Sequence, residues 1–385
     1  MIDKLIEGKL ITLLVGSVFR LVEILVRTIH LSVRGLRLVV QETLTSRLDR
    51  RISVLGKRWV AGRASVDPAS IVIIERDGEY TGDPKYIAEE ILRRDTGSQI
   101  TWVLRDQSVG PFPREFRFVR YGTAAFYRAV AAASVVVHDG RALTDSGAVR
   151  RPDQHWLRVG TGGLTVPEDG TDAAQRVGSH PRNDVLVDTS AETVTTVRKK
   201  VLDRLGIADS GQRFLLYAPT RRATRAPGGL SGIDLRSVRA ALSARFGGSW
   251  EILVRTHARH RAESGPLVAG LPAYCRDASP YPDLQELLVL ADAGMSDGDD
   301  WIFDYLLTRR PAFVFAAGPG HPVDGLEASP LPVITSQQRL LSAIATFDEE
   351  AHVDTSGQVL ARLGNADDGR ASARVVDQIQ EWMSG

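Results

Sequence analysis

The sequence predicts an α/β protein of two Rossmann-type lobes with a cleft between them, preceded by a helical N-terminal segment. Three observations predict it. Short apolar runs alternate with helical patterns from about Ile71 onward. That rhythm is broken once, in a Pro- and Gly-rich stretch near residues 151–180, and then resumes. The length of 385 residues suits two ordinary domains.

The elements follow in order. SIVIIE (Ser70–Glu75) reads as a buried strand, with no polar face. DPKYIAEEILRR (Asp83–Arg94) reads as a helix, with Asp83 as N-cap and Pro84 at its first position. ITWVLRD is the next strand, TAAFYRAVAAA a helix and SVVVHDG a strand. Residues 151–180, with Pro152, Pro167 and Pro181 near or within them, read as loops and a linker. A helix at Ser190–Leu205, the strand Arg213–Pro219, a helix at Asp234–Arg245 and the strand Trp250–His257 come next. The helix DLQELLVLA, the strand AGMSD, the helix DDWIFDYLLT, the strand PAFVFAA and a last helix at Ala371–Met383 complete the second lobe. A βαβα order predicts parallel sheets covered by helices. The boundaries expected are 1–68 for the helical segment, 69–188 for the first lobe and 189–385 for the second.

Composition narrows the function. Hydrophobic residues make up 43% and charged residues 25%, the values of a chain with a full core. A net charge of +1 gives no argument for nucleic-acid binding. The single cysteine, Cys275, allows neither an internal disulfide nor a Cys-x-x-Cys metal pair. There is no GxGxxG or GxxxxGK[ST], so neither a dinucleotide nor a P-loop site is indicated, and no cofactor or metal is expected.

The first 50 residues carry a different signal. Between Leu10 and Val40 the chain is dense in Leu, Val and Ile, while Arg20, Arg27 and Arg34 recur every seven residues. On a helix those arginines share one face. Two readings stand side by side: a helix packed on the protein or self-associating, and an interfacial helix whose arginines meet anionic headgroups. No uninterrupted apolar run approaches the ~20 residues needed to span a bilayer, and no secretory signal is present, so a cytoplasmic location, peripheral at the inner membrane face, is expected.

Eight segments, in order over residues 70–380, resemble the CDP-glycerol glycerophosphotransferase family. GDPKYIAEEILRR is similar to that family's NPKYI helix, ITWVLRD to the strand after it, VRYGTAAFYRAVAAASVVV to its kyGS block and GSHPRNDVL to its GyPRND.L turn. LLYAPTRR resembles ILYAPTWR, and ILVRTHARH resembles lLR.HPrh. YPDLQELLVLADAGMSDGDDWIFDYLLTRRPAFVF and DDGRASARVVDQI resemble the closing motifs.

The resemblance implies the tandem-lobe GT-B architecture and a CDP-alditol donor. It implies that the alditol phosphate passes to a cell-envelope polymer or lipid-linked acceptor. By the same resemblance Arg222, Arg255 and His257 would face the donor phosphates, together with the turn Ser296-Asp297-Gly298-Asp299-Asp300. Asp299 and Asp300 stand where the family has serines. Two carboxylates repel a pyrophosphate, so they are expected to cap their own helix instead. The family's His-Gly-Thr-Pro motif carries a base on its His; here Val159 precedes Gly160-Thr161. His155, four residues earlier, is the substitute considered, and no catalytic residue is otherwise assigned. The segment up to GSHPRND is also shorter than in the family, and its later Arg-Gly pair is missing between Phe315 and Pro330. Two other readings follow from these departures. One is a non-catalytic relative that binds a partner transferase, a lipid-linked polymer or a nucleotide without turnover. The other is a GT-B glycosyltransferase using another nucleotide sugar.

Overall fold

The computed structural model describes residues 64–105, 111–139, 143, 147–160, 179–188, 190–219, 233–256, 271–316 and 331–384. The helix expected within residues 1–50 lies outside these, as do Arg222 and His257.

The first sheet is five-stranded and parallel throughout, in the order β3-β2-β1-β4-β5. Its strands are β1 (Asp67–Ile74), β2 (Gln99–Leu104), β3 (Arg117–Arg120), β4 (Ala133–Asp139) and β5 (His155–Val159). β1 ends in four consecutive buried residues because both faces of the sheet are covered. On one face Ile71, Ile73, Trp102, Val135 and Leu157 pack against Ile87 and Ile91 of helix α1 (Gly82–Arg94). On the other, Val72, Ile74, Val103 and Val136 meet Phe126 and Val130 of α2 (Ala124–Ala132).

Two sequence expectations change here. The stretch read as loops and linker contains β5, whose short Trp-Leu-Arg-Val alternation buries only Leu157 and Val159. Asp83 does not cap α1. It lies in the first turn, the N-cap is Thr81, and the Asp83 carboxylate is drawn instead to Arg182.

The second sheet has six parallel strands in the order β11-β10-β9-β6-β7-β8. These are β6 (Arg213–Ala218), β7 (Trp250–Val254), β8 (Cys275–Asp277), β9 (Ala293–Ser296), β10 (Ala312–Phe315) and β11 (Val333–Ile334). Its helices are α3 (Ala191–Leu205), α4 (Leu235–Phe246), α5 (Leu284–Leu290), α6 (Trp301–Tyr305), α7 (Gln337–Ala345) and α8 (Glu349–Arg362). Most begin where the sequence supplies a cap. Ser190, Asp234, Asp283, Ser336 and Asp348 each accept a backbone N–H of the helix that follows. Gly206, at φ +65°, closes α3 with the left-handed residue that a helix C-terminus favours. Gly294 in β9 is fixed by close approach, since a Cβ there would stand 2.8 Å from the Tyr305 ring.

The last helix, α9 (Ala371–Ser384), crosses back. Its first amides are taken by the Asp184 carboxylate at 2.9 and 2.7 Å. Its Val375, Val376 and Ile379 then join the core of the first sheet. Among the described residues no helix is long and apolar enough to cross a membrane.

Candidate active site

In parallel α/β sheets ligands collect beyond the carboxyl ends of the strands. In the second lobe β7 and β9 flank β6, so their ends lie about 10 Å apart, two strand spacings. Arg255 follows β7, with its amide on the Tyr217 carbonyl at 3.0 Å. The Ser296–Asp300 turn follows β9. The structure thus brings Arg255, Ser296, Asp297, Asp299 and Asp300 to one edge of one sheet. The indole N–H of Trp301, 3.4 Å from the Ala218 carbonyl, ties the turn to the end of β6.

The turn is built on Ser296. Its buried hydroxyl accepts the amides of Gly298 at 3.1 Å and Asp299 at 2.9 Å, and donates to the Asp299 carbonyl at 3.2 Å. The self-capping expected of the two aspartates does not occur. Asp300 is the N-cap of α6, but its side chain makes no capping hydrogen bond. Burial, with the neighbouring carboxyls of Asp300 and Asp297, pushes Asp299 up to about 7. Among the described residues no group of three His, Cys, Asp or Glu side chains is arranged to hold a metal ion.

In the first lobe the carboxyl edge carries Glu75, Asp139 and Val159 on the adjacent strands β1, β4 and β5. Glu75, pushed up to about 8 mainly by burial, accepts the amides of Asp77 and Glu79. His155 lies at the opposite, amino end of β5, stacked flat on Trp382 at 4.8 Å. The structure does not bring it to the carboxyl edge.

A buried ionic seam joins the two lobes, and the sequence reading missed it. The Asp83 carboxylate accepts the Arg182 amide at 3.0 Å and lies 3.3 Å from the Arg182 guanidinium. Arg182 reaches on to Asp304 of α6 at 3.0 Å, and Gln285 and Asn183 donate to the same carboxylate. Beside it, the Lys85 ammonium, with 4% side-chain exposure, contacts Asp283 and lies 2.7 Å from Glu286. Tyr86 donates to Asp283, and Tyr281 to Glu286. Burial alone would raise Asp83; Arg182, and then His180, hold it below the usual carboxylate range. Burial likewise opposes ionisation of Glu286, but Lys85 and Lys200 pull it well down. The only sequence hint was the density of polar residues inside the matched DPKY, PRND and YPDLQE segments.

Two parallel sheets, joined by this seam and by a returning C-terminal helix, define a GT-B-like α/β fold. The chain belongs to the CDP-glycerol:poly(glycerophosphate) glycerophosphotransferase family, whose sequence model matches residues 170–381. It is 22% identical over 378 positions to a teichoic acid poly(glycerol phosphate) polymerase of Staphylococcus epidermidis, covering 82% of this chain and 51% of that protein. It is 25% identical over 215 positions to a teichoic acid glycerol-phosphate transferase of Staphylococcus aureus, covering 52% of each. The chain therefore spans about half the length of these curated relatives. Among solved structures it resembles the wall teichoic acid polymerase TagF. The TM-score is 0.67 at 21% identity, covering 90% of this chain and 98% of that one.

Two outcomes test this geometry. Arg182→Leu leaves Asp83 and Asp304 buried without their cation, so guanidinium unfolding should show a loss of about 3–5 kcal/mol. A loss below about 1 kcal/mol, the value of an exposed pair, would mean that water screens the seam. For Asp299 the folded-state value is raised. The cost of ionising it is absent below the unfolded value near 3.8 and complete above about 7. Asp299→Asn should therefore raise the melting temperature by a few degrees at pH 8 and hardly at all at pH 4. Equal effects at both pH values would contradict the assigned environment.

Proposed function

We propose that the chain transfers glycerol phosphate, or a related alditol phosphate, from a CDP-linked donor to a hydroxyl of a cell-envelope polymer or lipid-linked acceptor. CMP is the leaving group. The observation that carries this reading is the family match over residues 170–381, which spans the lobe holding Arg255 and the Ser296–Asp300 turn. One TagF structure was soaked with CDPG, which supports a CDP-glycerol donor here.

In this reading the pyrophosphate lies at the carboxyl edge of the second sheet. Arg255 supplies a guanidinium there, and Arg222 and His257 are assigned to the same phosphates. The raised Asp299 carboxyl is partly protonated near neutral pH, which reduces repulsion of the donor. Residues 1–50 hold the chain at an anionic membrane surface through the Arg20, Arg27 and Arg34 face. The alternative is a non-catalytic relative that binds a partner transferase. The observation favouring it is the carboxylate pair Asp299 and Asp300 at the strand end, where a phosphate site needs donors.

Calorimetric titration of CDP-glycerol, CDP-ribitol and CMP into the full chain tests the proposal. Arg222→Ala and His257→Ala should each weaken CDP-alditol binding about tenfold, or roughly 1.4 kcal/mol. Absence of binding by all three cytidine nucleotides would exclude the donor site and leave the non-catalytic reading.

A further inference from the structure

We infer that His180 is the general base for the acceptor hydroxyl, held in position by Asp83. The inference rests on the transferase reading above and assigns a residue to its proton-transfer step.

Attack by a hydroxyl on a phosphoryl centre benefits from a base that titrates near neutral pH. At the carboxyl edge of the first sheet Glu75 is already committed to two backbone amides. His155 is at the far end of β5. His180 lies at that edge and against a carboxylate. Gly160 directly follows β5, and a Cβ built there would stand 2.9 Å from Cε1 and 3.3 Å from Nδ1 of His180. The imidazole therefore lies against the carboxyl end of β5, and only a glycine admits it. Its Nδ1 is 3.4 Å from the Asp83 carboxylate.

That partner is well anchored. Asp83 has 1% side-chain exposure and is fixed by the amide and guanidinium of Arg182. The backbone N–H of His180 is bound at 2.6 Å by Asp367, so the loop carrying the ring is fixed as well. With Nδ1–H donating to Asp83, Nε2 is left as the basic nitrogen. Among the described residues no side chain or carbonyl bonds Nε2, and the His180 side chain keeps 17% exposure. The ring is thus oriented by one nitrogen and accessible at the other. Through Arg182 and Asp304 the same network enters α6, whose N-cap is Asp300. Four residues of helix, about 6 Å of rise, separate Asp304 from the donor-side turn.

The step balances as follows. The acceptor oxygen bonds to the phosphorus bearing glycerol, and its proton passes to Nε2 of His180. The bond from that phosphorus to the bridging oxygen breaks, and CMP departs with the electron pair. The imidazolium, stabilised by Asp83, returns its proton to solvent. The charged groups around the ring are Asp83 from α1, Arg182 from the turn that follows His180, Asp367 from the segment leading into α9, and Arg374 from the first turn of α9.

The test uses the full chain, CDP-glycerol and a synthetic alkyl-linked oligo(glycerol phosphate) acceptor. It measures CMP release across pH and CDP-glycerol affinity by calorimetry. His180→Gln can keep the contact to Asp83, so the fold is preserved. Its kcat should fall by about 10²–10⁴, and the acidic limb of the kcat–pH profile should disappear. Its Kd for CDP-glycerol should stay within about twofold, under roughly 0.4 kcal/mol. Gly160→Ala should displace the ring and lower kcat by roughly tenfold to a hundredfold, again with unchanged Kd. A His180→Gln protein with wild-type kcat, or with its acidic limb intact, overturns the assignment. A wild-type chain that binds CDP-glycerol but releases no CMP overturns the base and leaves the donor site standing. A wild-type chain that binds no CDP-glycerol overturns both.

Discussion

The ion pair between Asp83 and Arg182, continued to Asp304, is the constraint on which the remaining arrangement depends. It connects the first turn of α1 to α6 of the other lobe through a single guanidinium. Burying charge is costly, and an ion pair of this kind is seldom a net gain over well-packed apolar residues. Its consequence is directional. Each carboxylate oxygen must find a donor, so the two lobes fit together in one register. Carboxylates exceed cations in the seam: Tyr281 and Asn183 donate to the Glu286 and Asp304 oxygens that Lys85 and Arg182 leave over, while Tyr86 and Gln285 add a second donor to the Asp283 and Asp304 oxygens those cations bind. Replacing Tyr281 or Asn183 by an apolar group would strand a buried oxygen.

The same pair orders the chemistry. Asp83 faces Arg182 on one side and His180 on the other. The seam that positions the lobes therefore also positions the imidazole at the carboxyl edge of the first sheet. At the carboxyl edge of the second sheet the Ser296 hydroxyl shapes the turn by accepting the amides of Gly298 and Asp299. Asp299 and Asp300 stand beside the strand end, where burial and the neighbouring carboxyls raise Asp299 above the usual carboxylate range.

Most of the scaffold was legible in the sequence because apolar runs such as IVII and FLLYA have no other stable placement than a doubly covered sheet. The strands it missed lack that signature. β3 is an exposed edge, β5 buries only alternate residues, and β8 and β11 are only three and two residues long. The helix start at Asp83 was misread for a local reason. An Asp before Pro resembles an N-cap, and nothing nearby in sequence reveals that Arg182, 99 residues away, claims the carboxylate. The candidate site divides in the same manner. Arg255 and the Ser296–Asp300 turn follow strands directly, so their position at a sheet edge could be read from order alone. His180 could not be read so. It sits inside a segment matched as a turn, and its relation to Gly160 and to Asp83, 97 residues away, exists only in the folded chain.

The most direct test of the central claim, a donor on the second sheet facing a base on the first, is a crystal structure of the full chain with bound CDP-glycerol. The expected result is pyrophosphate density at the carboxyl edge of the second sheet, against Arg255 and the Ser296 turn. The glycerol-bearing phosphorus should face His180 across a space that admits one hydroxyl oxygen. Donor density away from both edges, or a phosphorus with no open line to His180, would contradict the claim.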